Sequence, residues 1–363
     1  MSRSRIGVCL RNTYIKCICD YRAFFNWRSA MHRLSMLHGG YRGSRKEYQE
    51  VVDFWKPYGV RPKRYWYQLF SDGRGKFDPR YIPDTMWFSR IIPYFNNYLL
   101  GQAYADKCAY DLLFPHLLRP RTIVKNSCGR YYGGSQNTIS REEAIELCLR
   151  EKSFIVKRAM SSSGGMSIKV FDEGEISRDT VEKIFSDYGM NFVIQELVRQ
   201  HADLAALNPS SLNTLRVMTL YFQGEVHVLS AQLRIGGNGA RVDNYSSGGF
   251  ACNVNEDGRL SERAVSKAQG WATVHPNGYA FSDVVVPCFG KVIETIKREH
   301  ARLSHLNLIG WDFAVSESGE PVFIEINMVP GQNQNGSGPT FGDLTEEVLK
   351  DVFITKSLKD AFN

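Results

Sequence analysis

The apolar positions of this chain change period along its length, and each change marks an element. Phe24, Trp27, Met31, Leu34 and Met36 recur at near-helical spacing with arginines between them. That spacing predicts helix within residues 1–60, stopped locally at Gly39-Gly40. Residues 61–100 are dense in Tyr, Trp, Phe and Pro without a clear period, and read as a compact aromatic connector. A helix is expected at about 102–118, ending before Pro120. Strand and loop are expected over 119–139.

From Ser140 the signals sharpen. Ser140 and Glu143 form a capping-box pattern, with Ala144, Leu147 and Cys148 on one helical face. Two short β runs, Phe154–Lys157 and Met166–Phe171, bracket Ser161-Ser-Ser-Gly-Gly165. A helix capped at Ser177 places Val181, Ile184, Phe185 and Tyr188 in register and stops at Gly189. A strand follows at Phe192–Gln195. Thr214–Phe222 and Val226–Ile235 flank Gln223-Gly-Glu225 as a hairpin. A Gly-rich turn region spans 236–249. A long helix is expected at about 284–303, with Val285, Cys288, Phe289, Val292 and Ile296 in register. A second hairpin joins Leu308–Val315 to Val322–Asn327, and a polar Gly-rich loop, 330–342, precedes a last helix. No repeat of fixed period interrupts this order.

Composition bounds the function class. At 363 residues, with 43% hydrophobic and 23% charged, the chain has the makings of a globular core and two to three domains. The net charge of +7 invites a nucleic-acid reading, but the charge is local. Residues 1–48 hold ten basic and two acidic side chains, a net of +8, which leaves −1 for the other 315 residues. A basic footprint for nucleic acid is therefore not expected. The basic N-terminal helices are expected to dock on an anionic membrane surface or an acidic partner, against the plainer reading of a solvated helical cap. No apolar run approaches the roughly 18 residues of a spanning helix. Arg11 and Lys16 break any secretory signal. Eight scattered cysteines without a CxxC pair fit free thiols, so a cytoplasmic location is expected.

Four features carry candidate chemistry. Strand alternation puts Glu325 and Asn327 on one face, with Asp312 on the partner strand. Two carboxylates and an amide make a hard-oxygen set suited to Mg²⁺; the alternative is a solvated face with an accidental acid pair. Lys157 ends an apolar strand before Ser161–Gly165, whose backbone N–H groups suit an anion, although the loop is neither Walker A nor GxGxxG. Arg216 and Arg234 sit inside strong strands, where a guanidinium needs a phosphate, a carboxylate or a structural ion pair. Phe192–Leu197 runs from strand into a polar segment with His201 and Asp203, a setting that suits adenine and ribose hydroxyls.

In this order the features resemble the ATP-grasp superfamily, and are most similar to its sugar-transfer-associated family. Ile194-Gln-Glu196, Ser211-Leu-Asn-Thr-Leu-Arg216, Val242-Asp-Asn244 with Gly248-Gly249, Gly310-Trp-Asp312 and Glu325-Ile-Asn327 carry the resemblance. Tyr81–Asp84 and Asp106-Lys107 extend it upstream, to a coverage of roughly residues 80–355 that takes in no part of 1–60. It implies an α+β fold, two α+β lobes clamping ATP between antiparallel sheets, with an N-terminal helical extension. Residues 1–60 would be the basic extension, 61–138 a pre-ATP-grasp region, 139–200 the small lobe and 201–363 the large catalytic lobe.

The resemblance also implies roles. Lys107 and Lys157 would hold ATP phosphates, and Ser161, Ser162, Ser163, Gly164 and Gly165 would cover them as a lid. Gln195, Glu196, Leu197 and Val198 would line the adenine. Asp203 would contact ribose, with Glu196 the competing choice, and Asn244 joins the nucleotide set. Asp312, Glu325 and Asn327 would bind two Mg²⁺ ions, Glu325 bridging. Arg216 and Arg234 would neutralise the γ-phosphate and the acyl phosphate. Ile309-Gly-Trp311 stands where better-known ligases of the superfamily carry an arginine before the aspartate, which throws that role onto Arg234. The implied reaction joins a small-molecule carboxylate to an amine through an acyl phosphate, in surface-polysaccharide or sugar-conjugate synthesis. The amide-rich loop Gly331–Gly338 and Asp243-Asn244 are the candidate contacts for those substrates. The alternatives are a kinase of the same superfamily acting on a hydroxyl, or a nucleotide-binding scaffold.

Overall fold

A computed structural model of the chain describes residues 43–355 apart from 69, 71–76, 135, 161–167 and 238, together with Thr13, Cys17, Tyr21, Phe24 and Arg28, which are helical and exposed. The expected helices of residues 1–48 otherwise lie outside the described residues up to Tyr41-Arg42.

The first continuous helix, α1 (Arg45–Trp55), starts where Ser44 and Glu47 form a capping box, and buries Val51 and Trp55. Gly59 ends the following 3₁₀ turn with φ +66°, a left-handed position that suits glycine. Residues 61–100, expected as a connector without period, form short helical turns instead. Trp87–Ile91 is a π-helical turn leading into Ile92–Phe95, and Trp87, Ile91, Ile92 and Phe95 are buried. With more residues per turn there and several aromatic anchors, no 3.6-residue period shows in the sequence. The helix expected over 102–118 is also broken. Asp106 accepts from the Cys108 N–H and splits it into 3₁₀ turns at Gln102–Ala105 and Lys107–Ala109, followed by Tyr110–Leu113.

The described strands form two antiparallel sheets. The smaller holds β1 (Thr122–Ser127), β2 (Arg130–Gly133), β3 (Thr138–Ile139), β4 (Phe154–Arg158), β5 (Ile168–Phe171) and β6 (Phe192–Gln195), in the order β3-β2-β1-β6-β4-β5. Strands β1 and β2 lie upstream of residue 139, and β3 straddles it. Helices α2 (Arg141–Leu149) and α3 (Arg178–Tyr188) cover it, packing Ala144, Ile145, Cys148, Val181, Ile184 and Phe185 onto Val124, Val156 and Ile194. Both helices begin as the caps at Ser140 and Ser177 predict.

The larger sheet holds β7 (Thr214–Phe222), β8 (Glu225–Ile235), β9 (Phe250–Val254), β10 (Leu260–Ser266), β11 (Gly270–Ala272), β12 (Leu308–Val315) and β13 (Pro321–Asn327), in the order β11-β10-β9-β8-β7-β12-β13. Both expected hairpins are present. Helix α4 (Phe289–His300) covers one face over Val217, Leu233, Trp311 and Phe313. It starts later than the expected residue 284, because Pro287 precedes Cys288 at φ +53°. The opposite face is divided. Its Met218, Leu220 and Leu308 end packs under α1, the turns of 87–95 and α5 (Thr345–Lys350). Its other end, from Gln232 to Glu325, carries polar side chains.

Candidate functional site

That polar end is built by strand register. Gln232 pairs with Arg216, Arg216 with Asp312, and Asp312 with Glu325, so four consecutive strands present one row. Direct antiparallel partners share a face with Cβ atoms about 4.5–5.5 Å apart. Gly310 pairs with Asn327, which puts the amide beside the row. The sheet beneath is apolar and fully buried, with Trp311 and Phe313 at 0% exposure, so the row rests on a rigid floor.

Every carboxylate in the row has a cationic partner. The Arg216 guanidinium is bidentate on Asp312, with Nε on Oδ1 and Nη2 2.6 Å from Oδ2. Asn327 Nδ2 donates to Asp312 Oδ2 at 3.3 Å, and Arg234 Nη1 lies 3.8 Å from the same oxygen. Lys107 Nζ lies 2.8 Å from Glu325 Oε2. Burial drives the Asp312 carboxyl up, but the charges of Arg216 and Arg234 outweigh it and hold it below the usual carboxylate range. Burial, reinforced by the Arg216 charge, lowers Arg234.

The second sheet supplies Lys157 from the end of β4. Among the described residues its Nζ reaches only Gln195 Oε1, at 3.5 Å. Burial and the Lys107 charge depress it to about 8, against the pull of Glu325. Lys157 is thus within electrostatic reach of the Lys107–Glu325 pair. The Lys107 N–H donates to the Ala159 carbonyl at 3.1 Å, which stitches the two lysine-bearing segments together.

The remaining expected residues sit as follows. Gln195 ends β6, and Leu197 and Val198 follow it half-buried, outside any strand or helix. Glu196 is turned to Arg121, whose backbone N–H and Nε lie 3.0 and 3.2 Å from its carboxylate. Asp203 is exposed and lies 3.5 Å from His201 Nδ1. Between the two ribose candidates, Glu196 is thus already engaged and Asp203 is the more available. Asn244 opens a 3₁₀ turn, its carbonyl accepting from Ser247 and Gly249. Ser161 to Gly165 lie outside the described residues.

Asp243, expected with Asn244 as a substrate contact, is held against the start of β7. Its Oδ2 accepts from the Thr214 N–H at 3.0 Å and from the Thr214 hydroxyl. Burial pushes it up to about 6, against the Thr214 hydrogen bond and the Arg234 charge. Gly249 packs against it so closely that a Cβ there would stand 2.7 Å from the Asp243 carbonyl oxygen, which explains the glycine.

Asp312, Glu325 and Asn327 bring side-chain oxygens to adjacent strands, the donor chemistry a hard divalent cation takes, and in this structure Arg216 and Lys107 engage the two carboxylates. Among the described residues no group of three or more His, Cys, Asp or Glu side chains is placed to hold a metal. A cation here would draw its remaining oxygens from phosphate and water, as Mg²⁺ does. Among the described residues no helix is long and apolar enough to cross a membrane.

A family model described as sugar-transfer associated ATP-grasp matches residues 90–338. No curated protein matches the chain. Among solved structures, the ADP complex of the purK N5-carboxyaminoimidazole ribonucleotide synthetase is 13% identical over 66% of this chain and 48% of its own, with a TM-score of 0.40. The ATP-grasp ligase PsnB, complexed with a phosphomimetic variant of its minimal precursor, Mg and ADP, is 14% identical over 72% and 62%, with a TM-score of 0.41. D-alanyl-alanine synthetase A from Vibrio cholerae is 15% identical over 70% and 66%, with a TM-score of 0.39. This chain therefore spans about half of the first of these and under two thirds of the second.

Proposed function

Because the chain belongs to the sugar-transfer associated ATP-grasp family, we propose that it is an ATP-dependent ligase joining a carboxylate to an amine. The observation that carries this reading is the Glu325–Asp312–Arg216 row, with Arg234 beside it, Lys107 paired to Glu325 and Lys157 within electrostatic reach. Four cations and two carboxylates lie within electrostatic reach of one another, which is what phosphoryl transfer asks for: positioning and charge neutralisation, with little covalent help.

Lys157 and Lys107 hold the β- and γ-phosphates. Gln195 to Val198 line the adenine, Asp203 takes the ribose hydroxyls, and Asn244 borders the nucleotide. Asp312, Glu325 and Asn327 would hold Mg²⁺, two ions in this reading, which neutralises and aligns the phosphate oxygens. The substrate carboxylate oxygen attacks the γ-phosphorus; the bond to the bridging oxygen breaks and ADP leaves. Arg216, fixed by Asp312, and Arg234, with its weaker partner at 3.8 Å, carry the charge on the resulting acyl phosphate. The amine nitrogen then attacks the carbonyl carbon and loses a proton, and phosphate departs. Residues 161–165 keep water from the acyl phosphate. The family description supports a sugar-conjugate setting, with a uronic acid or similar carboxylate and an amino acid or amine as substrates.

The test is an ADP-release screen of amino acids crossed with uronic acids, followed by product analysis. Amide product and phosphate that appear only when the amine is present support the ligase. A phosphorylated hydroxyl would replace it with a kinase.

A further inference from the structure

Strand β8 is eleven residues long, yet its ladder to β9 covers only Gln232 to Ile235. From Glu225 to Ala231 its other edge is bonded to β7, with an extra residue at Leu229 opposite the Met218–Thr219 step. Among the described residues, nothing pairs with the outer edge of this run. β9 turns away there, at Asn255 to Gly258. The bare edge forms the floor of a groove of about 1010 Å³, walled by α4 on one side and by residues 337–344 on the other.

A strand edge left open is unusual. Proteins blunt such edges with charges, prolines or a covering segment. Val226-His-Val-Leu-Ser-Ala231 has no proline and no permanent charge, and Val226 to Ser230 are half-buried rather than covered. Its backbone N–H and C=O groups are the chemistry that recognises another extended chain. At about 3.3 Å per residue the run spans roughly 20 Å, long enough for six residues of a partner.

The rim chooses the partner's charge. Glu225, Glu256 and Glu294 line the groove, are exposed, and have no ion-pair partner among the described residues, against one cation, Lys297. Gly290, in the first turn of α4, faces the groove with nothing within 4 Å of where a Cβ would stand, so the wall there is left low.

We propose that the free edge of β8 binds an extended, positively charged segment of a partner polypeptide as an added strand. This is independent of the ligase reading, because it requires neither nucleotide nor the Asp312 row.

The test is fluorescence anisotropy of the full chain, without nucleotide, with a fluorescein-labelled octapeptide alternating lysine and valine. Saturable binding is expected. The same peptide N-methylated at alternate residues keeps its side chains and loses its backbone donors, and should bind at least about tenfold more weakly. Gly290→Trp fills the groove at an open position and should abolish binding with an unchanged melting temperature. The Glu225→Gln, Glu256→Gln, Glu294→Gln variant should weaken binding about tenfold and flatten its salt dependence. Absence of saturable binding overturns the proposal. Equal binding of the N-methylated peptide also overturns it, because charge alone would then be responsible. So does dissociation of a homodimer by the peptide in sedimentation, because a second copy would then be the occupant.

Discussion

The two sheets treat buried charge in opposite ways. In the larger one the pairs close on themselves: Asp312 on Arg216, Glu325 on Lys107. In the smaller one Lys125, Val193 and Lys157 stand in one cross-strand row, since Val193 pairs with both lysines. The two are equally buried, at 6% and 8% exposure. Lys125 is neutralised, with Nζ 2.6 Å from Asp111 Oδ2 and 2.9 Å from the Cys108 carbonyl. Lys157 has an amide oxygen at 3.5 Å. Identical chemistry in one row is satisfied at one end and left short at the other among the described residues, a contrast that the proposed phosphate contact of Lys157 would explain.

The most severe way to break that contrast is Asp312→Asn. It strips the carboxylate from Arg216 and Arg234 together and leaves a buried guanidinium pair. Losing one partner of a buried ion pair costs about 3–5 kcal/mol. The denaturant midpoint should fall accordingly, with ligase turnover lost. An unchanged midpoint would mean that the closed pairs of the larger sheet are not what holds that face together.

The lysine row gives a sharper comparison. Lys125→Met leaves Asp111 without its cation and should destabilise the fold by about 1–3 kcal/mol, with nucleotide affinity nearly unchanged. Lys157→Met removes a poorly compensated buried charge. It should leave the melting temperature at neutral pH unchanged or raised, yet lower nucleotide affinity about ten- to hundredfold, the worth of a charge-assisted contact. Equal destabilisation by both substitutions would erase the distinction between them.

How much of this was legible in the sequence depends on range. The 308–327 hairpin was readable because a period of two and a short turn mark its two strands, but the pairing of Asp312 with Glu325 was not, since an extra residue at Ile324 shifts the register between Phe313 and Asp312 and brings Glu325 opposite. Arg216 and Arg234 were readable for the same reason, as polar residues inside strong strands. The break at Asp106 was hidden, because a side-chain cap competes with helix only when the flanking chain is held by other elements. That Glu196 turns to Arg121, 75 residues away in sequence, has no local signature. Nor has the contrast between Lys125 and Lys157, since it depends on which acid reaches each lysine across the sheet. Asp243 sat in a glycine-rich turn region whose composition announces a loop. Its burial against Thr214 comes from the closure of that loop over the start of β7.

The smallest effect is a proton count. In the folded chain Lys157 is depressed to about 8, because burial disfavours the ammonium. A polyphosphate placed beside it favours the ammonium and raises that value. Nucleotide binding at a pH near 8 should therefore take up a fraction of a proton, about half for a group at its midpoint. The uptake should vanish near pH 6, where the lysine is already protonated in the free protein. Calorimetry in buffers of different ionisation enthalpy reads the number, and Lys157→Met should abolish it. The same sign governs stability. With a folded value below the unfolded one, near 10.5, the burial penalty is fully present at low pH and is relieved as pH rises from about 8 towards 10.5. The stability advantage of Lys157→Met should thus shrink across that window. Proton release on binding at pH 8, or an advantage that grows with pH, would show that Lys157 is not the cation left short for the phosphates.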